Sequence, residues 1–390
     1  MKILFWYALT FVFLLSACSS PSPTPATDVQ APEPLVQETE EFALISWQNL
    51  NLSQELGVEI QNMTALLYTQ EGAILGSFYD EKDVSYIARS EDLGETWSKV
   101  TLDKGITYPR TLFSSSDGTL YLGGGVDQKT SPFWSSSDDG KTWIELGNGV
   151  LPNRQAQAVW DILELPTGNL LLATDSLSND PTQENPALYE WDGATLREFA
   201  KLPGLGVLSL AIDAEGTLYA ATEESAEHDD PNLAGQAHVF RSTDGGETWE
   251  DTGLLEGANR VYTLLVLSDG NTLMAGTGIR GELYRSTDQG DTWIRLEHTP
   301  EGVKNAQADK PEMKDTVSRI YSLLETAEGM ILAGTGNKTG DVFQLNPEEE
   351  WTLTTKDHQS NVVWGLLQTP DGTLWAGTGS YGGDILMFKP

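Results

Sequence analysis

A turn glycine that returns seven times, a Ser-x-Asp-x-Gly-x-Thr-Trp segment that returns four times, and short β-rich runs between them predict an all-β fold. The reading is a seven-bladed β-propeller of four-stranded antiparallel blades over residues 42–390, closed by an N-terminal strand at about 42–50 that joins the last blade. Residues 1–17 read as a signal peptide and 18–41 as a tether.

The leader places Lys2 before an apolar run from Ile3 to Leu15. That run is too short to span a bilayer and fits a secretory signal. Leu15-Ser16-Ala17-Cys18 resembles the bacterial lipobox, in which the cysteine takes a diacylglycerol and becomes the new N-terminus. Cys18 is the only cysteine of the chain, so no internal disulfide competes for it. The resemblance implies a lipid-anchored protein on the extracytoplasmic face of a bacterial envelope, held there by about 0.8 kcal/mol per buried methylene. The segment after Cys18, SSPSPTPATDVQAPEP, is proline-rich with no apolar periodicity and predicts an extended tether of about 3.1 Å per residue.

The repeat is carried by Gly72, Gly118, Gly168, Gly216, Gly270, Gly329 and Gly372, spaced 46, 50, 48, 54, 59 and 43 residues apart. Six residues before each stands Leu66, Leu112, Ile162, Leu210, Leu264, Leu323 or Leu366, which marks the innermost strand. The run after each glycine is the second strand of a hairpin, and segments such as GELYRST and TWIRL are the third and fourth. The last repeat supplies only three strands before the chain stops. FALISWQNL, Phe42 to Leu50, parallels the fourth strands and is assigned to complete that blade; an open or six-bladed ring would leave a sheet edge unpaired.

The four Ser-x-Asp-x-Gly-x-Thr-Trp copies contain Asp92, Gly94 and Trp97; Asp138, Gly140 and Trp143; Asp244, Gly246 and Trp249; and Asp288, Gly290 and Trp293. They resemble the Asp-box, or BNR repeat, of sialidases, sortilin-type receptors, xyloglucan-hydrolysing propellers and photosystem II assembly factors. The residue types explain themselves without a substrate. The Asp accepts backbone N–H groups of its own turn, the Gly takes positive φ, and the Trp packs on the next blade. YEWDGATL in the third repeat is shortened and NPEEEW in the sixth lacks Asp and Gly, so both turns are expected to be looser.

A ligand is expected at the opposite end, where the innermost strands begin. Alignment on the turn glycines places Asn62, Tyr108, Ala158, Gly206, Arg260, Arg319 and Val362 first, and Thr64, Arg110, Trp160, Leu208, Tyr262, Tyr321 and Trp364 two residues further in. With Asp161, the candidate mouth is Arg110, Trp160, Arg260, Tyr262, Arg319, Tyr321 and Trp364. Arginines pair with carboxylate or phosphate and aromatic planes stack on rings, although the same side chains could simply plug a channel. Long loops at 174–187, 222–237 and 298–318 belong to this end. The acidic cluster Glu223, Glu224, Glu227, Asp229 and Asp230 lacks a calcium-ligand spacing, and four scattered histidines do not make a zinc site, so no metal or other cofactor is assigned.

The balance of 23 basic against 58 acidic residues, a net charge of -35, opposes nucleic-acid binding. The function read from these features is a monomeric, membrane-anchored scaffold that binds a glycan, peptide or protein partner. The alternative is a glycoside hydrolase. A sialidase-like one would use Tyr262 or Tyr321 as nucleophile, but the chain has no Phe/Tyr-Arg-Ile-Pro segment. A xyloglucanase-like one needs two facing carboxylates, and Asp161 has no identifiable mate.

Overall fold

The computed structural model describes residues 46–102, 106–126, 133–146, 156–176, 186–204, 206–223, 237–255, 258, 260–278, 281–296, 319–336, 340–345, 351–355, 360–380 and 382–390. They belong to one compact unit, Leu44–Pro390. The leader, Cys18, the tether and residues 42–45 lie outside the described residues.

The described chain opens with β1 (Gln48–Asn49) and a short helix, α1 (Leu52–Leu56). Seven antiparallel units follow among the described residues. The first is β2 (Ile60–Tyr68), β3 (Ile74–Asp80), β4 (Ser85–Ser90) and β5 (Ser98–Thr101). The second is β6 (Ile106–Ser114), β7 (Leu120–Val126), β8 (Phe133–Ser136) and β9 (Ile144–Glu145). The third is β10 (Ala156–Glu164), β11 (Leu170–Ser176), β12 (Pro186–Trp191) and β13 (Leu196–Lys201). The fourth is β14 (Gly206–Ile212), β15 (Leu218–Glu223), β16 (His238–Ser242) and β17 (Glu250–Leu254). The fifth is β18 (Val261–Val266), β19 (Leu273–Thr277), β20 (Leu283–Ser286) and β21 (Ile294–Leu296). The sixth is β22 (Arg319–Glu325), β23 (Ile331–Gly336), β24 (Val342–Leu345) and β25 (Trp351–Leu353). The seventh has β26 (Val362–Gln368), β27 (Leu374–Gly379) and β28 (Ile385–Phe388), and β1 pairs with β28 through Gln48 with Met387 and Asn49 with Leu386.

Each predicted turn glycine joins the first two strands of a unit. All seven have positive φ, between 75° and 96°, and each donates its N–H to the carbonyl three residues back, as Gly72 does to Thr69 at 3.0 Å.

The core is divided rather than central. Seven buried apolar clusters each lie mainly between two consecutive units. Leu75 and Ile87 meet Leu120 and Leu122 between the first and second units. Ile74 and Phe78 of the first meet Trp375 and Ile385 of the seventh. Bridges between neighbouring units reinforce the stacking at the end where the innermost strands begin: Ala158 with Gly125, Asp175 with Gly206, Glu223 with Arg260, Gly336 with Val362, and Asn62 with Gly379.

The four Asp-boxes share one geometry. In the first, Asp92 Oδ1 accepts the Thr96 N–H (2.9 Å) and the Ser90 hydroxyl (2.8 Å), its Oδ2 accepts the Thr96 hydroxyl (2.6 Å), and the Gly94 N–H donates to Ser90 Oγ (2.8 Å). Asp138, Asp244 and Asp288 repeat these contacts. The Thr96 and Thr248 hydroxyls and amides hold Asp92 and Asp244 down at about 2. The glycine serves twice: Gly94 has φ +86°, and a Cβ there would stand 2.3 Å from the Trp375 ring of the seventh unit. At Gly140, Gly246 and Gly290 the obstructing residue is Leu75, Phe199 or Thr252, each from the preceding unit.

Two expectations change. The box tryptophans pack on the preceding unit instead of the next: Trp97 meets Trp375 edge-on at 6.3 Å, because the glycine that admits the neighbour lies on that side. The shortened third turn is not loose, since Asp192 accepts from Ala194 N, Thr195 N and the Thr195 hydroxyl at 2.7–2.9 Å. The sixth turn lies outside the described residues.

Gly94→Ala is expected to be destabilising twice over, by about 1–2 kcal/mol for the left-handed backbone and a further 1–3 kcal/mol for the clash with Trp375. Gly168→Ala, with φ +85° and nothing within 4 Å, should show only the first. Urea denaturation of the two variants checks the difference.

Candidate functional site

The geometry of the candidate mouth rests on a feature common to all seven innermost strands. The pairing register slips by one residue at the same aligned place in each: between Met63 and Ala65, Pro109 and Thr111, Val159 and Asp161, Val207 and Ser209, Val261 and Thr263, Ile320 and Ser322, and Val363 and Gly365. The extra residues are Thr64, Arg110, Trp160, Leu208, Tyr262, Tyr321 and Trp364, the second aligned level. A β-bulge bends its strand and re-aims the side chain it carries, so seven bulges present seven side chains together.

Five of them form a continuous line. The Arg110 guanidinium carbon lies 4.4 Å from the Trp160 ring and 5.9 Å from the Trp364 ring. Trp364 meets Tyr321 at 4.5 Å, and Tyr321 meets Tyr262 at 4.6 Å. Trp364 is oriented by its Nε1–H, which donates to Asn62 Oδ1 (2.8 Å), while Asn62 Nδ2 donates to the Tyr79 hydroxyl (2.6 Å). Tyr79 in turn meets Tyr108 edge-on at 5.0 Å.

The charges are arranged unequally. Arg260 and Glu223 are both buried and form an ion pair. Burial pushes Glu223 up to about 7, with Arg260 pulling it down and Asp175 pushing it up. Arg319 donates to the Tyr321 hydroxyl at 3.0 Å, and burial of Tyr321 raises that phenol to about 12. Arg110 has no carboxylate partner among the described residues, and its Nε and the Nε1 of Trp160 are buried without a hydrogen-bond partner among them.

Asp161 is tied into the fold. Its carboxylate accepts the N–H groups of Ile162 (2.9 Å) and Leu210 (2.8 Å) and the Ser209 hydroxyl (3.2 Å). Ser209 Oγ then accepts the Leu264 N–H (3.0 Å), which links the third, fourth and fifth units. Burial pushes Asp161 up to about 6 against these donors. Sequence reasoning missed Glu223 as the partner of Arg260, and the roles of Asn62 and Tyr79. The signal for Glu223 is its place at the end of a second strand, where the next innermost strand bridges to it. Glu224, Glu227, Asp229 and Asp230 lie outside the described residues, and no group of three His, Cys, Asp or Glu among the described residues could hold a metal ion.

A family model for the two component regulator propeller matches residues 357–380. A xyloglucanase from Paenibacillus sp is 28% identical over 190 residues, 41% of this chain and 18% of that protein, so the chain spans less than a fifth of the relative's length. Among solved structures, virginiamycin B lyase from Staphylococcus aureus, a catalytically inactive variant with quinupristin, superposes with a TM-score of 0.63 at 15% identity, covering 88% of this chain and 99% of that one. YCF48 from Cyanidioschyzon merolae superposes with a TM-score of 0.59 at 12% identity, covering 88% and 99%, and YCF48 bound to D1 peptide with 0.55 at 14%, covering 88% and 95%. The fold is that of a β-propeller, shared by enzymes and a peptide-bound protein alike.

Glu223 at about 7, against 4.5 for an ordinary glutamate, keeps a proton in the folded chain that the unfolded chain has released. Its contribution to stability is therefore full below the unfolded value and is lost as pH rises through 7. Arg260→Gln removes the cation that opposes this shift, so the Glu223 midpoint should move higher still. A carboxyl 13C NMR titration of both proteins checks the direction.

Proposed function

We propose that the chain is a lipid-anchored, extracytoplasmic propeller whose seven units close into a ring and whose arginine–aromatic mouth binds a carboxylate-bearing segment of a partner protein. The observation that carries this reading is Arg110, set against Trp160 and Trp364 with no carboxylate partner among the described residues. A guanidinium packed on indole faces keeps its donors for a planar anion, and desolvation strengthens what it binds. The peptide-bound state of YCF48, a protein of the same fold, supports a peptide as ligand. Closure is supported by β1 on the edge of β28 and by Asn62 beside Gly379, which bring the start of the chain to its end. The anchor rests on Cys18 and the tether on residues 18–41. The scaffold is read as monomeric, with no metal or cofactor in its action.

A glycoside hydrolase is the second reading, favoured by the local identity to a xyloglucanase. It has to find its acid and base elsewhere than Asp161, whose carboxylate already takes three donors.

The full chain, purified in detergent, is titrated by calorimetry with peptides ending in a free carboxylate and with the same peptides amidated. The acids are expected to bind and the amides to lose about tenfold or more, and Arg110→Ala should remove the difference. Equal binding of both forms contradicts the reading, and turnover of xyloglucan oligosaccharides in place of peptide binding establishes the second one. Separately, Cys18→Ser should move the protein from the membrane to the soluble fraction on cell fractionation.

A further inference from the structure

A second cavity, which shares none of its lining residues with the mouth, lies against the seventh unit. Here β1, the start of α1 and the loop before β28 surround a cavity of about 560 Å³. That volume falls within the range of small-molecule sites. Among the described residues one large aromatic lines it: Trp47, half-buried and held by its Nε1–H, which donates to Thr354 Oγ1 at 3.0 Å. Around it stand the amides of Asn49, Asn51 and Gln54 and the carboxylate of Glu59. Asn51 is held by two contacts to Asn49, whereas the side chains of Gln54 and Glu59 are exposed and make no hydrogen bond among the described residues. The other carboxylate, Asp384, is consumed inside the fold, accepting the N–H groups of Leu52 (2.9 Å) and Ile385 (2.8 Å).

The carboxylates of Glu59 and Asp384 line this cavity, and the chain carries a net charge of -35. An anionic ligand is therefore disfavoured here, in contrast to the mouth. Planar amides and a carboxylate supply paired donors and acceptors for hydroxyl groups, and an indole supplies an apolar wall for a ring's C–H face. We propose that this cavity binds a neutral saccharide, with Trp47 as the stacking wall and Gln54 and Glu59 as hydroxyl-binding groups.

The full chain is titrated by calorimetry and saturation-transfer NMR with maltotriose, cellotriose and chitotriose, and with trigalacturonate as the anionic control. At least one neutral trisaccharide is expected to bind saturably, with trigalacturonate weaker, and Trp47→Ala should lower the affinity about tenfold or more. Gln54→Ala, on the exposed face of α1, should weaken the same sugar without disturbing the fold and keeps the test decisive if Trp47→Ala does not fold. Arg110→Ala should leave this binding unchanged, which separates it from the mouth. Absence of binding by every neutral probe, a preference for trigalacturonate, or binding unmoved by both Trp47→Ala and Gln54→Ala would overturn the proposal.

Discussion

No unit of this protein can bury both of its faces alone. Each is a four-stranded sheet with apolar side chains on two sides, and each buried cluster draws most of its members from two consecutive units. The same constraint reaches the ends of the chain, because the cluster with Ile74, Phe78 and Trp97 takes Trp375 and Ile385 from the seventh unit. Stacking sets the rest. It requires glycine in the Asp-box, where a side chain of the preceding unit fills the space a Cβ would need. It also requires the second strand of one unit to approach the innermost strand of the next closely, and Gly125, Gly206, Gly336 and Gly379 stand at those bridges.

The two ends of the stack are built for different purposes. At the Asp-box end, Asp92, Asp138, Asp244 and Asp288 spend their lone pairs on their own turns. These turns hold the third and fourth strands together. At the other end, seven bulges break the regular alternation of the innermost strands at one level, and they line up Trp160, Arg110, Trp364, Tyr321 and Tyr262 in contact. A chain with 58 acidic residues thus gathers a cation and four large aromatic rings at one place, and ties the neighbouring carboxylates, Asp161 and Glu223, into the fold or onto Arg260.

What was legible beforehand followed from residues whose physical chemistry admits few substitutes. A turn that needs positive φ needs glycine, so Gly72 to Gly372 announced the repeat, and Asp92 with its three homologues announced the turns between third and fourth strands. The levels at the mouth were legible because the innermost strands keep a constant distance to those glycines. The bulges were not legible, since Thr, Arg, Trp, Leu and Tyr share no property that marks one. For the same reason Asp161 could not be told from a mouth carboxylate: its direction depends on donors contributed by Leu210 and Ser209 of another unit. The side on which Trp97 packs was equally a matter of stacking sense, which local sequence does not carry.

The most direct test of the arginine–aromatic mouth is 19F NMR of the full chain labelled with 5-fluorotryptophan, titrated with a peptide ending in a free carboxylate. The account predicts that the Trp160 and Trp364 resonances move while those of Trp97, Trp143, Trp249 and Trp293 at the Asp-box end stay in place. Movement of the Asp-box tryptophans with Trp160 and Trp364 unmoved would contradict it.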